Sequence, residues 1–284
     1  MDYRSLGNSG LKVSPICLGT MMFGDRTDAA EAGRIVASAR DAGVNFIDTA
    51  DVYAKGESER ITGKLIASDR ERWVLATKVA NPMGDDPNRR GTSRKWITRA
   101  VDESLGRLGT DYIDLYYVHK DVEDTPLAET LGALADLVHA GKIRHYGIGV
   151  VPYSPLARGV LTGKYAPGAA PAAESRAGRN DKRFMETEFR EESLAIAQKI
   201  KAHAAKKGMS PGHFAFNWVL ANPVVTSVIA GPRTLEQWSD YLAALGKPFG
   251  AEDEALVDSL VHPGHPSTPG YNDPMYPLRG RVLR

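Results

Sequence analysis

The sequence predicts an α/β fold, parallel strands alternating with helices around a barrel, and three observations carry that reading. Short β-branched and aromatic runs end near positions 19, 48, 78, 118 and 149, at the intervals of about 30 to 40 residues that βα units require. Helix-period apolar patterns with caps lie between them. Three of the runs end in an ionisable group, Asp48, Lys78 and His119, and in such barrels the strand ends face a common mouth where chemistry gathers.

In order along the chain, Tyr3 to Leu6, the turn Gly7-Asn8-Ser9-Gly10 and Leu11 to Val13 predict a hairpin within residues 1–14, ahead of a first strand at Ile16 to Gly19. Asp28 is placed to cap a helix with Ile35, Val36 and Ala39 on one face, stopped by Gly43 before the strand Asn45 to Asp48. Ile61, Leu65 and Ile66 mark the next helix, and Trp73 to Lys78 the next strand. Ser93 caps a helix with Ile97, Val101, Leu105 and Leu108 facing inward, followed by the strand Tyr112 to His119. A further helix carries Leu127, Leu131, Leu134, Leu137 and Val138, and Gly141 ends it before a strand at Ile143 to Val150. Residues 166–183, rich in Ala, Pro, Gly and Arg, predict a long loop. Helices resume at Leu194 to Ile200 and after Ser210-Pro211; Val224 to Ala230 is the last strand, then come helices around Trp238 and Leu256, and a tail from 262 to 284. Even spacing favours one barrel domain over residues 1–284.

Composition narrows the function classes. The 36 basic and 35 acidic residues leave a net charge of +1, so no global field draws the chain to nucleic acid or an anionic membrane. A small neutral or modestly charged substrate fits better. Cys17 is the single cysteine and sits in an apolar run, where a buried inert thiol is the expectation. The first residues lack an apolar signal core and no window holds about 20 uninterrupted apolar residues, so the expected location is the cytoplasm and no membrane partner is expected. His262-Pro263-Gly264-His265 has no third ligand nearby in sequence, so no metal is expected. Gly147-Ile148-Gly149-Val150-Val151-Pro152 and Gly159-Val160-Leu161-Thr162-Gly163-Lys164-Tyr165 miss the spacing of dinucleotide and phosphate loops.

Asp48, Lys78 and His119 converge if their runs are neighbouring strands, and Tyr53, five residues after Asp48, reaches the same mouth. Taken singly they admit plainer roles: a turn cap, a snorkelling lysine, a satisfied core histidine, a loop aromatic. Taken together, with Phe46-Ile47-Asp48-Thr49-Ala50, Gly141-Lys142-Ile143-Arg144, Tyr153-Ser154-Pro155-Leu156-Ala157-Arg158-Gly159 and Ile229-Ala230-Gly231-Pro232-Arg233 in this order, they resemble the aldo-keto reductase superfamily. The resemblance implies a TIM-type (β/α)8 barrel that reduces aldehydes or ketones with NADPH. It implies a tetrad of Asp48, Tyr53, Lys78 and His119, with Tyr53 as the acid, Lys78 lowering its pKa, Asp48 holding Lys78, and His119 orienting the carbonyl. It also implies cofactor contacts from Tyr153, Ser154, Leu156, Arg158, Gly159, Gly231, Arg233, Gln237 and Asp240, with Arg233 the candidate for the 2′-phosphate. Tyr241 stands where the family usually has Asn.

One departure matters. Val150 abuts Val151-Pro152-Tyr153, so roughly 50 residues of a (β/α)8 plan are absent and about six strands remain. The absent segment carries the family's Ser, Asn and Gln for the nicotinamide carboxamide, so impaired turnover is expected, and exposed sheet edges open the way to a homo-oligomer. Two rivals stand beside the reductase: a nucleotide-binding regulatory subunit similar to potassium-channel β subunits, and a non-catalytic barrel remnant.

Overall fold

The computed structural model describes residues 1–120, 125–147 and 151–274. The expected hairpin is present, β1 (Arg4–Ser5) pairing antiparallel with β2 (Lys12–Val13). Then β3 (Ile16–Gly19), α1 (Ala29–Asp41), β4 (Phe46–Asp48), α2 (Glu57–Ile66), β5 (Val74–Val79), α3 (Arg94–Leu108), β6 (Ile113–Val118), α4 (Leu127–His139), β7 (Ile143–Tyr146) and β8 (Val228–Ala230) build a six-stranded parallel sheet, in the order β7-β6-β5-β4-β3-β8. Beyond β8 the pairing continues as a single parallel bridge between Tyr153 and Ile229, with the Ile229 N–H donating to the Pro152 carbonyl at 2.9 Å. The strands number six, as expected, and the barrel is not closed among the described residues. Ile148 to Val150, including the junction before Val151, lie outside those residues.

Local chemistry explains where the helices start and stop. Asp28 caps α1 by accepting from the Glu31 N–H at 2.8 Å, and Ser93 caps α3 through the Trp96 N–H at 3.3 Å. The chain then reverses after α1 at Gly43, whose φ of +83° suits glycine. Ile35, Val36 and Ala39 are buried, as are Ile97, Val101 and Leu108. The expected helix α4 carries all five of its apolar residues, of which Leu134 and Leu137 are buried while Leu127 and Leu131 are 70% and 44% exposed. The last strand is shorter than expected, since Val225-N–H turns back to the Asn222 carbonyl before pairing begins at Val228.

The chain divides into two compact units, residues 1–153 with 222–242, and residues 154–221 with 243–284. In the first, Leu6, Val13, Cys17, Phe46, Val74, Ala76 and Leu115 form a buried core inside the sheet, and burial pushes the Cys17 thiol well above its ordinary pKa, as an inert thiol requires. α2 and α3 meet backbone to backbone: a Cβ on Gly63 would stand 2.0 Å from the Leu108 carbonyl oxygen. Gly63→Ala is therefore expected to lose about 1–3 kcal/mol by overpacking, despite a helix-propensity gain of about 1 kcal/mol. A urea melt of equal or greater stability would show that the helices part freely.

The second unit holds α5 (Lys182–Thr187), α6 (Glu191–Lys206), α7 (Pro211–Ala221) and α9 (Ala251–Leu260), while α8 (Leu235–Ala244) follows β8. Ser210 accepts from the His213 N–H at 3.1 Å and Pro211 takes the first helical position, as expected. The expected long loop ends at Asp181, which caps α5 by accepting from the Phe184 N–H. Residues 263–274 form no helix or strand, yet they are fastened: Arg183 donates to Asp273 at 2.8 Å, Arg190 to Thr268 at 2.7 Å, and Ser193 and Ser267 share a 2.7 Å hydrogen bond. Among the described residues no three His, Cys, Asp or Glu side chains are arranged to hold a metal ion, and no helix is long and apolar enough to cross a membrane.

Candidate active site

β3, β4, β5 and β6 are consecutive neighbours, so the ends of β4, β5 and β6 bring Asp48, Lys78 and His119 together. Lys78 is the hub. Its Nζ donates to Asp48 Oδ1 at 2.5 Å, to the Thr49 carbonyl at 2.6 Å and to the Tyr53 hydroxyl at 3.3 Å. The Tyr53 ring meets His119 edge to face, with centroids 5.7 Å apart. All four residues anticipated for the tetrad therefore form one cluster. A cavity of about 360 Å³ opens beside it, lined by Met21, Gly24, Asp25, Val52, Tyr53, Ala54 and Lys55. Met21, which lines the cavity, is exposed, whereas Phe23 and Trp96 are buried.

The turn that carries Tyr53 is fastened to β5 at several points. The Thr49 N–H donates to the Ala76 carbonyl at 2.9 Å, and the Asp51 N–H to the Lys78 carbonyl at 3.3 Å. Ala54 and Lys55 adopt positive φ values of 47° and 55°, which turns the chain sharply into α2 after Tyr53. Beneath lies an ion pair that sequence reasoning missed. Arg107 on α3 donates from Nε to Glu59 Oε2 at 2.6 Å, while Thr77 Oγ1 donates to Glu59 Oε1 at 2.6 Å. Glu59 is fully buried. Its signal was the acidic first turn of α2 with a basic residue in the last turn of α3, a pattern common to many exposed helix ends.

Burial sets the electrostatics. It works to lower the Lys78 pKa, but Asp48 and then Tyr53 outweigh it, so the ammonium is held above its ordinary range. The Asp48 carboxyl is pushed up by burial against the pull of Lys78. Tyr53 corrects the expectation of a lowered phenol pKa: burial raises it by more than Lys78 lowers it, so the phenol keeps its proton. His119 falls to about 4 through burial and the nearby Lys78 and Lys120, leaving a neutral imidazole with one N–H at neutral pH.

The expected cofactor residues fall in both units. In the first, Tyr153 presents a ring that is 73% exposed, Gly231 and Asp240 lie at the surface, and Gln237 Oε1 accepts from the Arg233 N–H at 2.9 Å. In the second, Ser154 and Arg158 adopt φ of 57° and 52°, followed by Gly159 at 105°, beside Leu156. Arg158 Nε stands 3.2 Å from Glu188 Oε1 but makes no well-formed hydrogen bond.

The model of the Aldo/keto reductase family matches the chain over residues 15–149 and again over 145–262. A probable voltage-gated potassium channel subunit beta of Oryza sativa subsp. japonica is 33% identical across 86% of this chain and 91% of its own length. An uncharacterized oxidoreductase, YrpG, of Bacillus subtilis is 36% identical with the same two shares, and an L-glyceraldehyde 3-phosphate reductase of Escherichia coli is 27% identical over 93% of both chains. The first of these alignments spans 300 positions although only 86% of the 284 residues take part, so that relative carries internal residues with no counterpart here.

Proposed function

Because the chain belongs to the aldo/keto reductase family, we propose that it reduces the carbonyl of a small aldehyde or ketone to an alcohol, with NADPH as the reductant and Tyr53 as the proton donor. One observation carries this reading: a lysine ammonium bound to a buried carboxylate at 2.5 Å and touching a tyrosine hydroxyl at 3.3 Å, with a neutral imidazole against the same ring. When bound, the nicotinamide supplies the hydride. Negative charge then grows on the carbonyl oxygen, and the Tyr53 O–H is placed to give its proton there. Lys78 stabilises the phenolate left behind, and Asp48 keeps the ammonium aimed. The neutral His119 N–H holds the carbonyl oxygen in line.

Tyr153 would stack on the nicotinamide ring, Ser154, Leu156, Arg158 and Gly159 would hold the pyrophosphate, and Gly231, Arg233, Gln237 and Asp240 the adenosine end. The two family matches meet at 145–149, which supports the loss of a segment after Val150 and with it the carboxamide contacts. Turnover below that of intact relatives follows, in a cytoplasmic protein. A second reading, a nucleotide-binding regulatory subunit, draws on the likeness to the rice channel subunit.

Titration with NADPH, followed by tryptophan fluorescence and melting temperature, is expected to show saturable micromolar binding and a raised Tm. An aldehyde panel with NADPH absorbance then separates the readings. Oxidation that depends on aldehyde supports the reductase, whereas binding without turnover favours the regulatory subunit. A folded protein that binds no NADPH sinks both.

A further inference from the structure

Asp51 is the buried titratable group that the mechanism leaves without a task. Its side chain is fully buried, and neither carboxyl oxygen has a well-formed hydrogen bond; only the Val52 amide leans towards it. The groups that face it come from four elements. Glu59 on α2 repels its charge, Arg107 on α3 and Lys78 on β5 attract it, and Tyr116 on β6, whose hydroxyl is also buried without a partner, feels it in turn. Arg107 is committed to Glu59 at 2.6 Å and Lys78 to Asp48 at 2.5 Å. Neither cation is spare for a third carboxylate, so the second acid of the Glu59 and Asp51 pair is best neutral.

Geometry ties this acid to the catalytic turn. The Asp51 N–H reaches the Lys78 carbonyl at 3.3 Å, and Lys78 reaches the Tyr53 hydroxyl at 3.3 Å, the two longest contacts among those that fasten the turn and its lysine. We propose that Asp51 is a positioning residue which, as the neutral acid, seats the Ala50–Tyr53 turn against β5, and which on ionisation draws on Lys78 and loosens its hold on the Tyr53 hydroxyl. The catalytic part of this proposal rests on the reductase reading; the buried proton does not.

Burial, with repulsion from Glu59, lifts the Asp51 pKa from 3.8 to about 7. In the unfolded chain the carboxyl ionises at its ordinary value. The neutral form thus favours the fold fully below pH 3.8, and that contribution is lost as pH rises to about 7.

The test compares the wild type with Asp51→Asn, an isosteric neutral side chain, and with Asp51→Ser, a smaller one. In the wild type, kcat for aldehyde reduction is expected to fall as pH rises through about 7 while KM changes little. Both variants are expected to lose that limb and to keep their activity between pH 7 and 8. An acid that served structure alone would shift the whole profile and keep its shape. Melting temperatures from pH 4 to 8 decide the proton independently of turnover. Asp51→Asn is expected to exceed the wild type by roughly 5 °C at pH 8, with the gap closing towards pH 4. A gap that does not vary with pH, or an unchanged limb in both variants, overturns the proposal. A pH-dependent gap in a protein that turns over no aldehyde keeps the buried proton and removes the reductase reading instead.

Discussion

Tyr53→Phe is expected to lower carbonyl turnover by roughly 10²- to 10⁴-fold, the usual worth of a positioned general acid, while leaving NADPH affinity nearly unchanged. The substitution deletes one oxygen. That oxygen is a partner of Lys78 at 3.3 Å, whereas the lysine's stronger bonds, to Asp48 at 2.5 Å and to the Thr49 carbonyl at 2.6 Å, remain. The ammonium therefore stays in place and the edge-to-face contact with His119 is kept. With the fold and the cofactor surface intact, the loss belongs to kcat, as removal of an interaction made in the transition state requires. Steady-state kinetics at saturating NADPH, beside a fluorescence titration, separates the two quantities. Activity within tenfold of the wild type would remove Tyr53 from the role of acid.

Arg107→Met is expected to cost about 3–5 kcal/mol of stability, because it strands a buried carboxylate. Glu59 is fully buried and its Oε2 depends on the guanidinium at 2.6 Å, on a side chain only 11% exposed. Thr77 satisfies the other oxygen but brings no charge. For a chain of this size the loss corresponds to a Tm lower by roughly 10 °C. Pairing the change with Glu59→Gln removes the stranded charge and should recover much of the loss, a coupling that a double-mutant cycle measures. A single-variant loss below about 1 kcal/mol in urea melts would mean that water or another cation reaches Glu59.

The parts of this molecule that could be read from the sequence are those set by strand ends. Asp48, Lys78 and His119 each close a short apolar run, and parallel neighbours necessarily bring such ends together. What could not be read depends on what covers a surface and on what is buried. Leu127 and Leu131 share the periodicity of Leu134 and Leu137, but periodicity reports which residues lie on one face and not whether a neighbour covers it. The Tyr53 pKa was expected to fall because charge is visible in a sequence; it rises because desolvation, which is not, is larger. Asp51 lies three residues beyond Asp48 in a segment that reads as an ordinary polar loop, yet it is fully buried in the fold.

The pairing of β3 with both β4 and β8 also orders events in time. Leu18 and Gly19 meet Ile47 and Asp48 early, but Ile16, Cys17 and Leu18 wait for Val228, Ile229 and Ala230. On a ribosome adding about 5–20 residues per second, the roughly 200 residues between them take about 10 to 40 s. Throughout that interval one edge of the nascent sheet offers unpaired backbone groups along an apolar strand, the condition under which chains associate wrongly. The strands that carry Asp48, Lys78 and His119 can pair during this wait, so the corner proposed for catalysis is assembled before the sheet that frames it is complete.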